Sequence, residues 1–120
     1  MIAMQLDEGV GSGARAMTRV HDLTARRIER ALARRHRYRY VQPVVTACEQ
    51  GWVVSSPCCS RNIDPLGGEI PIAWFEPQAD GWALHAREHA EGRWILHSQA
   101  EHIAELIELV CLDEARVFWP

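Results

Sequence analysis

The segment Pro57-Cys58-Cys59-Ser60-Arg61 sets two adjacent thiols beside a guanidinium. A cysteine becomes nucleophilic when nearby positive charge or helix-start N–H groups stabilise its thiolate. Arg61 supplies such a charge close to Cys58 and Cys59, and a proline-initiated turn can aim backbone N–H groups at Cys58. The spacing nevertheless fits no familiar nucleophile loop. A phosphatase-type loop needs an arginine six positions after its cysteine, and those positions hold Asp64 and Pro65. A redox C-x-x-C is also absent. Adjacent side chains of an extended segment point to opposite faces, so packing as a small apolar residue is the stronger expectation for this pair.

Metal binding is the second chemistry to weigh. Cys58, Cys59, His85 and His89 supply the ligand types of a Cys2His2 site. Structural zinc sites draw on cysteines two to four residues apart, a separation the adjacent pair lacks. The His85–His89 spacing falls across a strand end and a turn rather than on a helix, and the adjacent glutamate of H-E-x-x-H is missing. No metal and no cofactor are expected. Acid–base candidates exist in Asp64, Glu69, His85, Glu88 and His89. No local motif adds a third group, and neither a phosphate-cradling glycine loop nor a G-x-S-x-G elbow is present. The expectation is a non-enzymatic protein, with a thiol- or metal-dependent enzyme or sensor at the Cys58–Cys59 loop as the alternative.

Arginines carry the third pattern. All 13 basic residues are arginine. Nine fall between Arg15 and Arg39, against two carboxylates, while the remainder of the chain is strongly acidic and the net charge is −3. Arg26, Arg30, Arg34 and Arg37 recur at helical spacing and form a basic face able to track phosphates, with Tyr38 and Tyr40 beyond it for base stacking. An acidic whole argues against coating nucleic acid. A protein partner or self-association, as in a homodimer, is the favoured reading, and nucleic acid is the alternative.

These residues need elements to hold them. A chain of 120 residues, 48% apolar and 24% charged, is long enough for one ordinary core. No apolar run long enough to span a membrane occurs, and no signal-peptide pattern opens the chain. A cytoplasmic protein with reduced thiols is therefore expected, although Cys48, Cys58, Cys59 and Cys111 make an even count. Residues 1–17, with a Gly/Ser cluster, are expected to be a disordered extension, and residues 18–120 a single domain.

Alanine, leucine and arginine from Asp22 to Arg37 predict a helix with Ala25, Ile28, Ala31 and Leu32 inward and Asp22 as its cap. Period-two stretches then predict five strands: 38–47, 52–56, 69–76, 82–87 and 93–97. Ile70, Ile72 and Trp74 are expected on one face of the third strand, and Trp82, Leu84 and Ala86 on one face of the fourth. Ser98-Gln99-Ala100-Glu101 has the form of a capping box opening a second helix. That helix is apolar at Ile103, Leu106, Ile107 and Val110, and Phe118 and Trp119 should fold back onto the core. The order predicts an α+β fold: an N-terminal helix, a curved antiparallel meander of about five strands, and a C-terminal helix on one face of the sheet.

The strings PIAWF (71–75), GWALHAREH (81–89), GRWILH (92–97) and DEARVFWP (113–120) resemble a family of short bacterial proteins catalogued only as a domain of unknown function. Its pattern has a Pro-x-Ala strand, a Trp-x-Leu strand, an Arg/Lys-Trp strand and a leucine-rich helix ending near Asp with Phe-Trp. The resemblance covers roughly residues 26–120 and does not include the Cys-Cys pair. It implies a small bacterial α+β domain and brings no activity, cofactor or catalytic residue.

Overall fold

Among the described residues, two helices share one face of a five-stranded antiparallel sheet. The structure, a computed structural model, describes residues 23–35, 42–57 and 68–119. Helix α1 covers residues 23–32. Strands β1 (Val44–Cys48), β2 (Gly51–Pro57), β3 (Glu69–Gln78), β4 (Gly81–Glu88) and β5 (Arg93–Ala100) follow, then α2 (Ile103–Leu112). The strands lie in sequence order, each antiparallel to the next. This is the predicted α+β architecture. The extension expected over 1–17, the cap Asp22, Tyr38 and Tyr40, and the start predicted for the first strand lie outside the described residues.

The core lies between the helices and the inner face of the sheet. Ile28 and Leu32 of α1 and Leu106, Ile107 and Val110 of α2 meet Val45, Trp52, Val54, Ile70, Ile72, Phe75 and Leu84. The Val45 amide donates to the Glu29 carboxylate at 3.0 Å, tying α1 to the edge strand β1. Helix α1 ends sooner than its composition predicts. After Leu32 the chain tightens, with Arg34 N–H donating to the Ala31 carbonyl and Arg35 N–H to that of Leu32, the short-range bonding usual at a helix end.

Two bulges change which residues face the core. In β3, Ala73 pairs with Val54 and Pro71 with Ser55, leaving Ile72 as an extra residue. Ile72 and Ala73 are both fully buried, and the alternation inverts beyond them. Phe75 therefore points inward, and Trp74 turns to the opposite face from Ile70 and Ile72, contrary to the period-two expectation. In β5, Leu96 pairs with His85 and Ser98 with Leu84, so His97 is the extra residue.

The second correction concerns α2. Ser98, Gln99 and Ala100 remain in β5, paired with Leu84, Ala83 and Trp82. The ladder to β4 outweighs the local capping pattern, and the helix starts one turn later. There the His102 amide donates to the Glu105 carboxylate at 3.4 Å and the Glu105 amide to the His102 carbonyl at 3.2 Å.

At the other end of α2, Asp113 adopts a left-handed conformation (φ 40°), and its N–H donates to the Leu109 carbonyl at 2.9 Å. Its buried carboxylate accepts from the amides of Val117 (2.7 Å), Phe118 (3.1 Å) and Trp119 (3.1 Å). This brings Phe118 and Trp119 onto the core, as expected from sequence, and the Trp119 indole N–H donates to the Val110 carbonyl at 2.9 Å.

Candidate binding surfaces

The outer face of the sheet carries a cluster of aromatic and charged side chains. Cross-strand pairing aligns Val53, Trp74, His85 and Leu96 in one row over β2, β3, β4 and β5. The His85 ring stacks on Trp74 with centroids 4.2 Å apart, and Trp94 lies 5.9 Å from Trp74. The Arg87 guanidinium sits 5.0 Å from the Trp94 ring centre, a cation–π contact. His85 Nε2 is 2.9 Å from the Glu76 carboxylate, and the Trp74 indole N–H donates to the Gln50 carbonyl at 2.8 Å. The hydrogen bonds and ring contacts hold these side chains in fixed orientations. No described element packs over them: both described helices contribute to the inner core.

The His85–Glu76 pair has the make-up of an oriented general base. A base also needs a reacting group within hydrogen-bond reach, and the described contacts of the pair are each other and the Trp74 ring. Glu88 bonds Arg93 instead, at 2.8 Å, and Glu69 is exposed at the start of β3. His89 lies in the β4–β5 turn, half-buried. Burial lowers its pKa, and the Arg87 charge lowers it further.

Cys58, Cys59, Arg61 and Asp64 lie outside the described residues, so of the four-residue metal set only His85 and His89 are placed. Among the described residues no three His, Cys, Asp or Glu side chains gather as a metal site. Cys48 and Cys111 are free thiols, the first exposed and the second partly buried. Burial raises the Cys111 pKa, an effect that Arg35 opposes and Glu108 reinforces. Because the thiolate is the reactive species, Cys48 should alkylate at pH 7.5 on the order of tenfold faster than Cys111. Peptide mapping after timed iodoacetamide treatment measures this, and equal rates would contradict the burial of Cys111.

The second surface lies between the helices. Ala31, Ala104 and Ile107 line both of two adjoining cavities, of about 520 and 340 Å³. Of the predicted basic face, Arg30 and Arg34 stand on this groove together with Arg27, which the helical line had not included. Arg26 is exposed without lining it, and Arg37 lies outside the described residues. Arg35 behaves differently from its neighbours. It is buried, its Nη1 donates to the Leu32 carbonyl at 2.7 Å, and its guanidinium lies 4.2 Å from the Trp119 ring centre. Desolvation lowers its pKa, partly countered by Cys111.

Nothing in the sequence alone singles out Arg35 or Glu76. Glu76 finds His85 only through the β3–β4 register. Asp113 had a readable signal in an aspartate ending an apolar helix just ahead of Phe-Trp. No described helix is long and apolar enough to cross a membrane. No curated protein and no solved structure matches the chain. Residues 16–120 match the family described as a domain of unknown function, DUF3024, which covers both helices, the whole sheet and the Asp113-to-Trp119 closure, and the chain belongs to that family.

Proposed function

We propose that the chain is a non-enzymatic, cytoplasmic protein-binding domain that self-associates through the outer face of its sheet. The observation that carries this reading is the Val53–Trp74–His85–Leu96 row with Trp94 beside it. Aromatic side chains are enriched and charges depleted at the centres of protein interfaces. Among the described residues, the charged side chains in contact with the row or with Trp94 are Glu76 and Arg87. A two-fold interface presents the same patch twice, so a patch with one charge of each sign can match itself, whereas a nucleic acid would require excess positive charge.

The size of the face fits a second copy. Four strands at about 4.8 Å spacing and about 26 Å of strand length give roughly 500 Å² per copy. Two copies then bury roughly 1,000 Å², about the least that a specific interface needs. Stacked sheets pack about 10 Å apart, which places Leu96 and the two tryptophans in the shared layer.

Sedimentation equilibrium of wild type and Leu96→Arg tests the reading. Leu96 is 52% exposed, so the variant should keep its fold and melting temperature. Its dimer should dissociate at a concentration at least roughly tenfold higher, because the two-fold interface then buries two guanidinium groups, one from each copy, without partners. A wild type that stays at the 13.6 kDa chain mass up to millimolar concentration, or a variant that dimerises as well as wild type, would reject it.

A further inference from the structure

The groove between α1 and α2 lies on the opposite side of the molecule from the outer sheet face. We infer that it binds an amphipathic helix of another protein, with an apolar stripe toward the groove floor and an acidic flank toward α1. This rests on the reading of the chain as a protein-binding domain and is independent of its dimer.

The floor is apolar, with small Ala31 and Ala104 beside Ile107. Arg27, Arg30 and Arg34 form the α1 wall. All three are exposed, and among the described residues none makes an ion pair. Glu108 and Glu114 stand at the far end, on the α2 side. At that end the α1 side is basic and the α2 side acidic, while the other end carries only the arginines, so a matching ligand carries acid on the flank toward α1 and base or neutral groups on the other.

Backbone chemistry selects the conformation of the ligand. Both walls are helices, whose interior N–H and C=O groups are consumed by their own hydrogen bonds. An extended peptide laid between them would bury its own backbone polar groups without partners, at a cost for each. A helix arrives with those groups already paired. Each wall helix spans ten residues, roughly 15 Å at about 1.5 Å per residue. That length accepts apolar anchors at i, i+3, i+4 and i+7, the usual helix-in-groove spacing. A nucleic acid fits less well, because its phosphates would meet an apolar floor and two carboxylates.

The test uses the full chain with isotope-labelled methyl groups and a synthetic, helix-stapled peptide of about 14 residues. The peptide carries leucine at the four anchor positions and glutamate along one flank. A scrambled peptide of the same composition, a peptide with lysine in place of the glutamates, and a single-stranded oligonucleotide serve as comparisons. The expected result is saturable binding of the acidic helix, with shifts concentrated at the Ala31, Ala104 and Ile107 methyls. Combining Arg27→Glu, Arg30→Glu and Arg34→Glu, all at exposed positions, should weaken that binding by roughly tenfold or more and strengthen binding of the lysine peptide. Equal binding of the scrambled peptide, shifts outside the groove, indifference to the charge reversal, or preference for the oligonucleotide would each overturn the inference. Sedimentation of the same samples reports self-association separately, so failure of one surface is not confused with failure of the other.

Discussion

Asp113→Ala should destabilise the protein by about 4 kcal/mol and lower the melting temperature by roughly 15 °C. The Asp113 side chain is almost fully buried, and three amides close to the end of the chain converge on its carboxylate: those of Val117, Phe118 and Trp119. Hydrogen bonds to a charged acceptor are stronger than neutral ones. Removing the acceptor leaves the amides of Phe118 and Trp119 buried without it, and each orphaned donor costs about 1–3 kcal/mol. Freed from that anchor, the tail would also loosen the Trp119 ring from Arg35 and Val110. Asn tolerates the left-handed conformation and keeps one acceptor oxygen, so Asp113→Asn should lose about half as much. Chemical denaturation of the three proteins measures the series. A loss under about 0.5 kcal/mol for Asp113→Ala, the size of an ordinary surface substitution, would contradict this account of how the C-terminal aromatics are held.

The second large effect belongs to Gly51, where β1 turns into β2. Its φ is +118°, and a Cβ placed there would lie 2.1 Å from the Phe75 carbonyl oxygen and 2.9 Å from Pro77 Cδ. An alanine thus meets both an unfavourable backbone conformation and the neighbouring strand's main chain, which cannot rotate away. Relief requires parting β2 from β3 where Trp52 pairs with Phe75. Gly51→Ala should cost about 3 kcal/mol, above the roughly 1–2 kcal/mol of a positive φ alone. The damage should also reach the outer face, since the Trp74 indole is held by Gln50 in the same turn. Denaturation monitored by tryptophan fluorescence reads both consequences. A change below about 1 kcal/mol would show that the strands absorb the methyl group without parting.

Much of this fold was legible because local pattern and tertiary environment agree. The inward stripe of α1 at Ile28 and Leu32, the apolar face of α2, and the strand alternation in β4 all follow from period alone. Where two local rules competed, sequence could not choose. Ser98 to Ala100 suit either a cap or a strand, and the pairing energy of a neighbouring strand decided between them. The bulge at Ile72 is invisible to a period-two rule, and it is what turns Trp74 outward to meet His85 and Trp94. The outer aromatic cluster was therefore beyond sequence reading, although every member is a conspicuous residue.

The arginine pattern was half legible. Periodicity placed Arg30 and Arg34 together, and both line the inter-helix groove. The tightened end of α1 separates Arg35 from its neighbours. Its guanidinium is buried over Trp119 while Arg34 remains exposed. Composition cannot distinguish a binding arginine from a packing arginine one position away.

In the proposed dimer the outer face of the sheet joins two copies. Isotope-filtered nuclear Overhauser measurements on a mixture of labelled and unlabelled chains address it most directly, because they register only contacts between molecules. The expected result is intermolecular contacts from the Val53 and Leu96 methyl groups to the Trp74 and Trp94 rings of the other copy. Intermolecular contacts confined to the helices or to the free edge of β5, or none at millimolar concentration, would contradict it.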